Sequence, residues 1–215
     1  MFASTQQRAE GEAMTTRILQ INASLFGEQG QSSQLNAYLV ERLSAHGHSV
    51  VTKRDLAAQP LPHLSGDTLA AIGTSPDART SEQANSAALA DAVIDELKAA
   101  DVLVLAAPMY NFNVPSTVKA WMDYVARAGV TFQYTADGPQ GLLSGKTAYI
   151  TATRGGIHRG KPSDTQTDFV TTFLNFIGIT DIHWVYAEGI NMGDHKETAL
   201  ASAKATIDQL VSVKE

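Results

Sequence analysis

The stretch Leu103–Tyr124, LVLAAPMYNFNVPSTVKAWMDY, constrains this chain more than any other. It opens within an apolar, β-branched run, Val102 to Ala107, the composition of a strand buried on both faces. Pro108 ends the run, because proline has no N–H to give to a ladder. Met109, Tyr110, Asn111 and Phe112 follow, side chains too apolar for an ordinary solvated loop. Pro115, Ser116 and Thr117 carry turn and cap chemistry, and Val118, Trp121, Met122 and Val125 then recur at helical spacing, which predicts a helix over 116–127. An aromatic-rich loop at the carboxyl end of a central parallel strand sits where open α/β sheets bind ligands. Folding of the loop over its own core is the competing reading, and this stretch alone weighs the two equally.

The rest of the chain repeats the strand–loop–helix pattern. Arg17 to Ala23 alternates as a first strand, and Ser24 to Ser33, SLFGEQGQSS, is a Gly/Ser loop. Leu35, Leu39, Val40 and Leu43 mark an amphipathic helix that Gly47 is expected to stop at His46-Gly47. Ser49 to Asp55 is a second strand, and Leu56 to Thr80, rich in Pro and Gly, reads as a long loop. A helix is predicted over 81–100 with Ser81 as its cap, and Gly129 to Gly145 as a long connection. Then come a strand over Thr147 to Ala152, a helix over Thr165 to Ile177, a strand over Ile182 to Ala187 and a helix over Lys196 to Val213. Five such alternations without internal repeats predict an α/β domain with a parallel sheet. Right-handed crossovers and the order 2-1-3-4-5 make it flavodoxin-like and doubly wound. Residues 16–215 are expected to be one domain. Residues 1–15 are polar and patternless, an expected disordered extension with Met14 as an alternative start.

Composition narrows the function. A chain of 215 residues, 44% hydrophobic and 18% charged, describes a globular protein. Sixteen Lys and Arg against 22 Asp and Glu leave a net charge of −6, which argues against nucleic acid as a partner. No apolar run suits a bilayer, so no membrane partner is expected. With no cysteine there is no thiolate catalysis and no Cys-ligated metal, in keeping with a cytoplasmic protein. The six histidines show no metal spacing.

In a sheet of that order the first, third and fourth strands are neighbours, so their carboxyl-end loops converge. The first, Ser24–Ser33, pairs glycines and hydroxyls with a helix start, an anion pocket made of neutral donors. The second, Pro108–Pro115, offers a flat apolar surface, and the third, Thr153-Arg154-Gly155-Gly156-Ile157-His158, offers backbone N–H groups to a ring edge. One terminal phosphate, one flat surface and one polar edge together fit flavin mononucleotide (FMN).

With these residues in view, the chain resembles the FMN-dependent NADH-azoreductases and NADH:quinone reductases of bacteria. The segments that carry the resemblance are APMYNFN (Ala107 to Asn113), VARAGVTFQYT (Val125 to Thr135), TRGGIH (Thr153 to His158) and FLNFIGITD (Phe173 to Asp181). The resemblance implies a homodimer with FMN near its interface, reduced by NADH and reoxidised by a quinone or aromatic azo compound in ping-pong fashion. It implies that Ser24, Gly30, Gln31 and Ser32 hold the phosphate, that Met109, Tyr110, Asn111 and Phe112 flank the isoalloxazine, and that Thr153, Arg154, Gly155 and Gly156 line its pyrimidine edge. Gly30 stands where the family often has serine, a loss worth about 1 kcal/mol, and Thr153 replaces a common serine while keeping the hydroxyl.

Phe132, Tyr134 and Phe176 are candidates for stacking on substrate, with core packing as the alternative for each. His158 is the candidate catalytic residue, as a hydrogen-bond or proton donor to substrate, or else an exposed loop histidine. Arg154, Arg159 and Lys161 are candidates for a 2′-phosphate or are solvated loop charges. An electron-carrier flavodoxin without a substrate of its own is the main alternative. It would not be expected to carry the long loops at 129–145 and 153–163.

Overall fold

Sheet position follows from how much of each strand is apolar. The computed structural model describes residues 15–45 and 47–212; the expected tail over 1–15, apart from Thr15, lies outside the described residues, as do His46 and residues 213–215. β1 (Thr16–Asn22), β2 (Ser49–Asp55), β3 (Val102–Ala106), β6 (Thr147–Arg154) and β7 (Asp181–Glu188) form one parallel sheet in the order β2-β1-β3-β6-β7. Numbering only these five gives the expected 2-1-3-4-5. Every residue of β3 is buried, as is every residue of β6 after Thr147, whereas no residue of the edge strand β2 is buried. Continuous apolar strands go to the centre because helices cover both faces there.

Two cores result. On one face, α1 (Gln31–Ser44) and α6 (His195–Ser212) set Leu35, Leu39, Ala203 and Ile207 against Val104 and Tyr149. On the other, α3 (Ser81–Ala99), α4 (Ser116–Val125) and α5 (Thr165–Ile177) set Val93, Trp121 and Leu174 against Leu103, Leu105 and Ile150.

Several local expectations are corrected. The helix after the first loop ends at Ser44, short of Gly47, with Ala45 as its C-cap. The cap of α3 is Thr80, one residue earlier than Ser81, because Gln83 completes a reciprocal capping box with it. The stretch 56–80 is not all loop: α2 (Gly66–Gly73) forms there, capped by the Ser65 hydroxyl, which accepts from the Thr68 N–H. The connection after α4 folds into an antiparallel hairpin of β4 (Phe132–Thr135) and β5 (Gly138–Gly141). It docks on the end of α5 where Gly141 meets Gly178; a Cβ at Gly141 would lie 2.1 Å from the Gly178 nitrogen.

Candidate active site

The carboxyl ends of β1, β3 and β6 open into one cavity of about 350 Å³. Its floor is the start of α1. The chain leaves β1 at Ser24, turns through Gly27 at φ +55° and a short 3-10 segment, and enters α1 at Gly30. Among the described residues no side chain caps α1, so its first turn keeps donors for a ligand. Ser32 lines the cavity, is 1% exposed, and its Oγ has no hydrogen-bond partner among the described residues. A buried hydroxyl with nothing to bond is costly unless a ligand completes it. Gly30 leaves the backbone bare because Ser24 fills the space beside it; a Cβ there would lie 1.9 Å from the Ser24 Oγ. These are the requirements of a phosphate cradle, and they fit the 5′-phosphate of FMN.

The amino end of α1 is fixed from below by Asn36. Its amide donates to the Ile21 carbonyl at 2.9 Å and to Asn22 Oδ1 at 3.1 Å, and its Oδ1 accepts from the Thr151 hydroxyl at 2.6 Å. The helix is thereby tied to β1 and β6 together.

The β3 loop makes the adjoining wall with Pro108, Met109 and Tyr110. The Met109 N–H donates to the Thr153 carbonyl at 2.9 Å, so the β3–β6 ladder runs on past the last strand residue to the site. Tyr110 and Asn113 exchange backbone hydrogen bonds around Asn111 (φ 49°) and Phe112 (φ 70°), consecutive left-handed residues as in a type I′ turn. Positive φ at a phenylalanine stores strain. The Thr165 hydroxyl holds the turn by donating to the Phe112 carbonyl at 2.6 Å, and the Leu25 N–H reaches the Tyr110 hydroxyl at 3.3 Å.

Thr153 and Gly155 form the third wall. Beside them Arg154, expected at the cofactor edge, turns its guanidinium the other way. It is fully buried, pairs with both oxygens of Asp164 at 2.8 and 3.0 Å, and reaches Glu188 at 3.1 Å. Burial works to raise the Asp164 carboxyl, but hydrogen bonds from Arg154 and Thr167 outweigh it and hold the group below its ordinary value. The same Glu188 oxygen accepts the backbone N–H groups of His158 and Arg159 at 2.8 and 2.9 Å. The Arg154 side chain is therefore a brace for the 155–159 loop and lies outside the cavity lining. Nor is its guanidinium free for a 2′-phosphate, while Arg159 lies over the Tyr186 ring.

Residues 16–211 match a protein family described as having a flavodoxin-like fold. An FMN-dependent NADH:quinone oxidoreductase of Cellvibrio japonicus is 50% identical over 196 residues, covering 91% of this chain and 98% of that protein. The chain belongs to the FMN-dependent NADH:quinone oxidoreductase family. Another member, from Alcanivorax borkumensis, is 50% identical over 192 residues, 88% of this chain and 97% of that protein. Among solved structures, an azoreductase from Bacillus anthracis aligns with a TM-score of 0.83 at 27% identity, over 91% of this chain and 98% of that one.

Against what the family resemblance implied, Ser24, Gly30, Gln31, Ser32, Met109, Tyr110, Thr153 and Gly155 all line the cavity. Asn111, Phe112, Gly156 and His158 lie on the same loops outside its lining, with the His158 ring against Phe112 and over Gly156. Phe132 and Phe176 lie outside the lining of this cavity. They pack on each other at 4.4 Å between centroids and fasten the hairpin to α5. Tyr134, on the same hairpin, is 75% exposed and also stands apart from the cavity.

The structure adds Phe26, Gln29, Ile190, Asn191 and Lys196 to the lining. The last three follow β7, and residues 189–191 hydrogen-bond to the carbonyls of Arg154, Gly155 and Gly156, which brings a fourth loop to the site. Its sequence, Gly189-Ile190-Asn191-Met192-Gly193 between a strand and a helix, has the same form as the first loop.

Proposed function

We propose that the cavity is an FMN site in which the phosphate lies at the start of α1, the flavin ring against Met109 and Tyr110, and the pyrimidine edge against Thr153 and Gly155. The protein is an FMN-dependent oxidoreductase that uses NADH to reduce quinones and aromatic azo compounds. The observation that carries the site is the buried, unpartnered Ser32 Oγ at an uncapped helix start, within a cavity whose other walls suit a flat ring. When bound, FMN supplies the two-electron chemistry, taking up hydride from NADH and delivering electrons to the second substrate.

The chain's own residues orient and enclose. The first turn of α1 neutralises phosphate charge with dipoles, and Gly155 lets backbone come close to a ring edge where negative charge gathers on reduction. His158 has its Nδ1 within 2.9 Å of the Ser163 hydroxyl, which leaves Nε2 for a substrate oxygen or azo nitrogen. We assign it that contact.

The working form is a cytoplasmic homodimer. Leu25 and Phe26 are 69% and 74% exposed, and Phe112, Ile157 and Met192 also present apolar surface on the loops around the cavity. A rim of exposed apolar side chains is what a second subunit covers. Tyr134, exposed on the hairpin, is suited to reach a partner's substrate.

An absorbance spectrum before and after anaerobic NADH tests the reading. Flavin bands that bleach with NADH and return with a quinone are expected. Bound flavin indifferent to NADH would instead indicate an electron carrier. A protein unable to take up FMN would overturn the site.

A further inference from the structure

The cavity holds a charge that the first loop does not supply. Lys196, in the first turn of α6, is the only charged side chain among the described residues lining the cavity, and Ser24, Gln29, Gly30, Gln31 and Ser32 share that lining. It is exposed, and among the described residues it has no hydrogen-bond or ion-pair partner, although Asp194 and Glu197 flank it in the chain. A cation in the first turn opposes the positive end of its own helix dipole, so the position is unfavourable to the helix by itself. It becomes favourable when an anion lies between the starts of α1 and α6. Ser32 lines the same cavity, and its buried Oγ, unpartnered among the described residues, independently calls for a ligand there.

We propose that Lys196 is a cofactor-binding residue that takes the second negative charge of the FMN phosphate and makes the site selective for phosphorylated over unphosphorylated flavin. The inference rests on the FMN reading of the cavity. Neutral donors, the Ser32 hydroxyl and the first turn of α1, hold the phosphate in place. Lys196 closes over it from α6 and supplies the full charge they lack. The arrangement also couples two helices, since a phosphate held by α1 and Lys196 draws the first turn of α6 towards the cradle.

The test is titration of the flavin-stripped full-length chain with FMN and, separately, with riboflavin, following flavin fluorescence. Lys196→Gln is expected to weaken FMN binding about tenfold, the scale of one charge-assisted hydrogen bond, and to leave riboflavin binding unchanged. Lys196→Arg is expected to restore most of the FMN affinity. The melting temperature of the stripped Lys196→Gln protein should be equal to or above that of the parent, because a cation leaves the helix start. Unchanged FMN affinity in Lys196→Gln, or equal weakening for FMN and riboflavin, would overturn the role of Lys196 while the FMN site stood. A parent chain that bound neither flavin would instead overturn the site reading itself.

Discussion

The imidazole of His158 meets the ring of Phe112 edge-on, with centroids 5.8 Å apart and planes at 86°. The contact joins the loop after β3 to the loop after β6 at the edge of the cavity. Nδ1 is occupied by Ser163, so the ring is held from two sides and its free nitrogen has a defined direction. His158→Ala should keep its full flavin content and lose about fivefold in kcat/KM for quinones, the worth of one hydrogen bond. Steady-state kinetics alongside the flavin absorbance ratio checks this, and unchanged kinetics with every acceptor would remove His158 from the mechanism.

Phe112 sits at φ 70°, where only glycine is comfortable. Phe112→Gly should therefore raise the melting temperature, by relief of about 1 kcal/mol of backbone strain, and should lower activity by removing the ring from the rim. A fall in both quantities would mean that the ring contributes more to folding than its backbone costs.

The Asp164 carboxyl is held below its ordinary value, and this gives acid sensitivity a location. A carboxylate depressed in the folded state contributes stability that is present above its unfolded pKa, about 3.9, and is lost as pH falls through the folded value. Asp164→Asn should lose about 3 kcal/mol near neutral pH, since Arg154 is then buried with only Glu188 to balance it. The deficit should shrink below pH 4, where the unfolded chain takes up the proton while the folded parent still holds the carboxylate, and disappear as pH falls through the folded value. Urea melts at pH 7 and pH 3.5 give the comparison.

Gly141→Ala separates the hairpin from the cofactor site. The added Cβ would lie 2.1 Å from the Gly178 nitrogen, backbone that cannot rotate aside. A cost of about 1–3 kcal/mol is expected, seen as a lower melting temperature, with the dissociation constant for FMN near that of the parent. A large loss of FMN affinity would show that the hairpin helps to shape the cavity.

Much of this architecture is legible in the sequence because the strongest signals are also the most deeply buried. The run 102–106 is apolar without interruption and becomes the central strand, and the loops of β1, β3 and β6 meet because the strand order requires it. What escapes is decided by tertiary contact. Nothing in the spelling of Arg154 distinguishes a loop charge from a brace, because Asp164 and Glu188 come to it from separate elements. Nor does the sequence show that Phe132 and Phe176, far apart along the chain, pack on each other where the hairpin docks on α5. The hairpin itself was obscured by glycine and proline in β5, residues depleted in strands. Lys196 lies far along the chain from Ser24–Ser32, and the packing of α6 beside α1 brings it into the same cavity lining.

Four loops from across the chain form one cavity, and no single segment contains enough of it to hold a ligand. Colour thus becomes an assay of integrity for the entire sheet. Separation of β6 from β3, or of β7 from β6, takes a wall away and lets the yellow cofactor go. Cofactor present in excess should in turn protect every strand at once, raising stability by RT ln(1 + [L]/Kd) whichever part of the chain would otherwise open first. Cells short of riboflavin should then hold less of this protein, through faster turnover of the emptied fold.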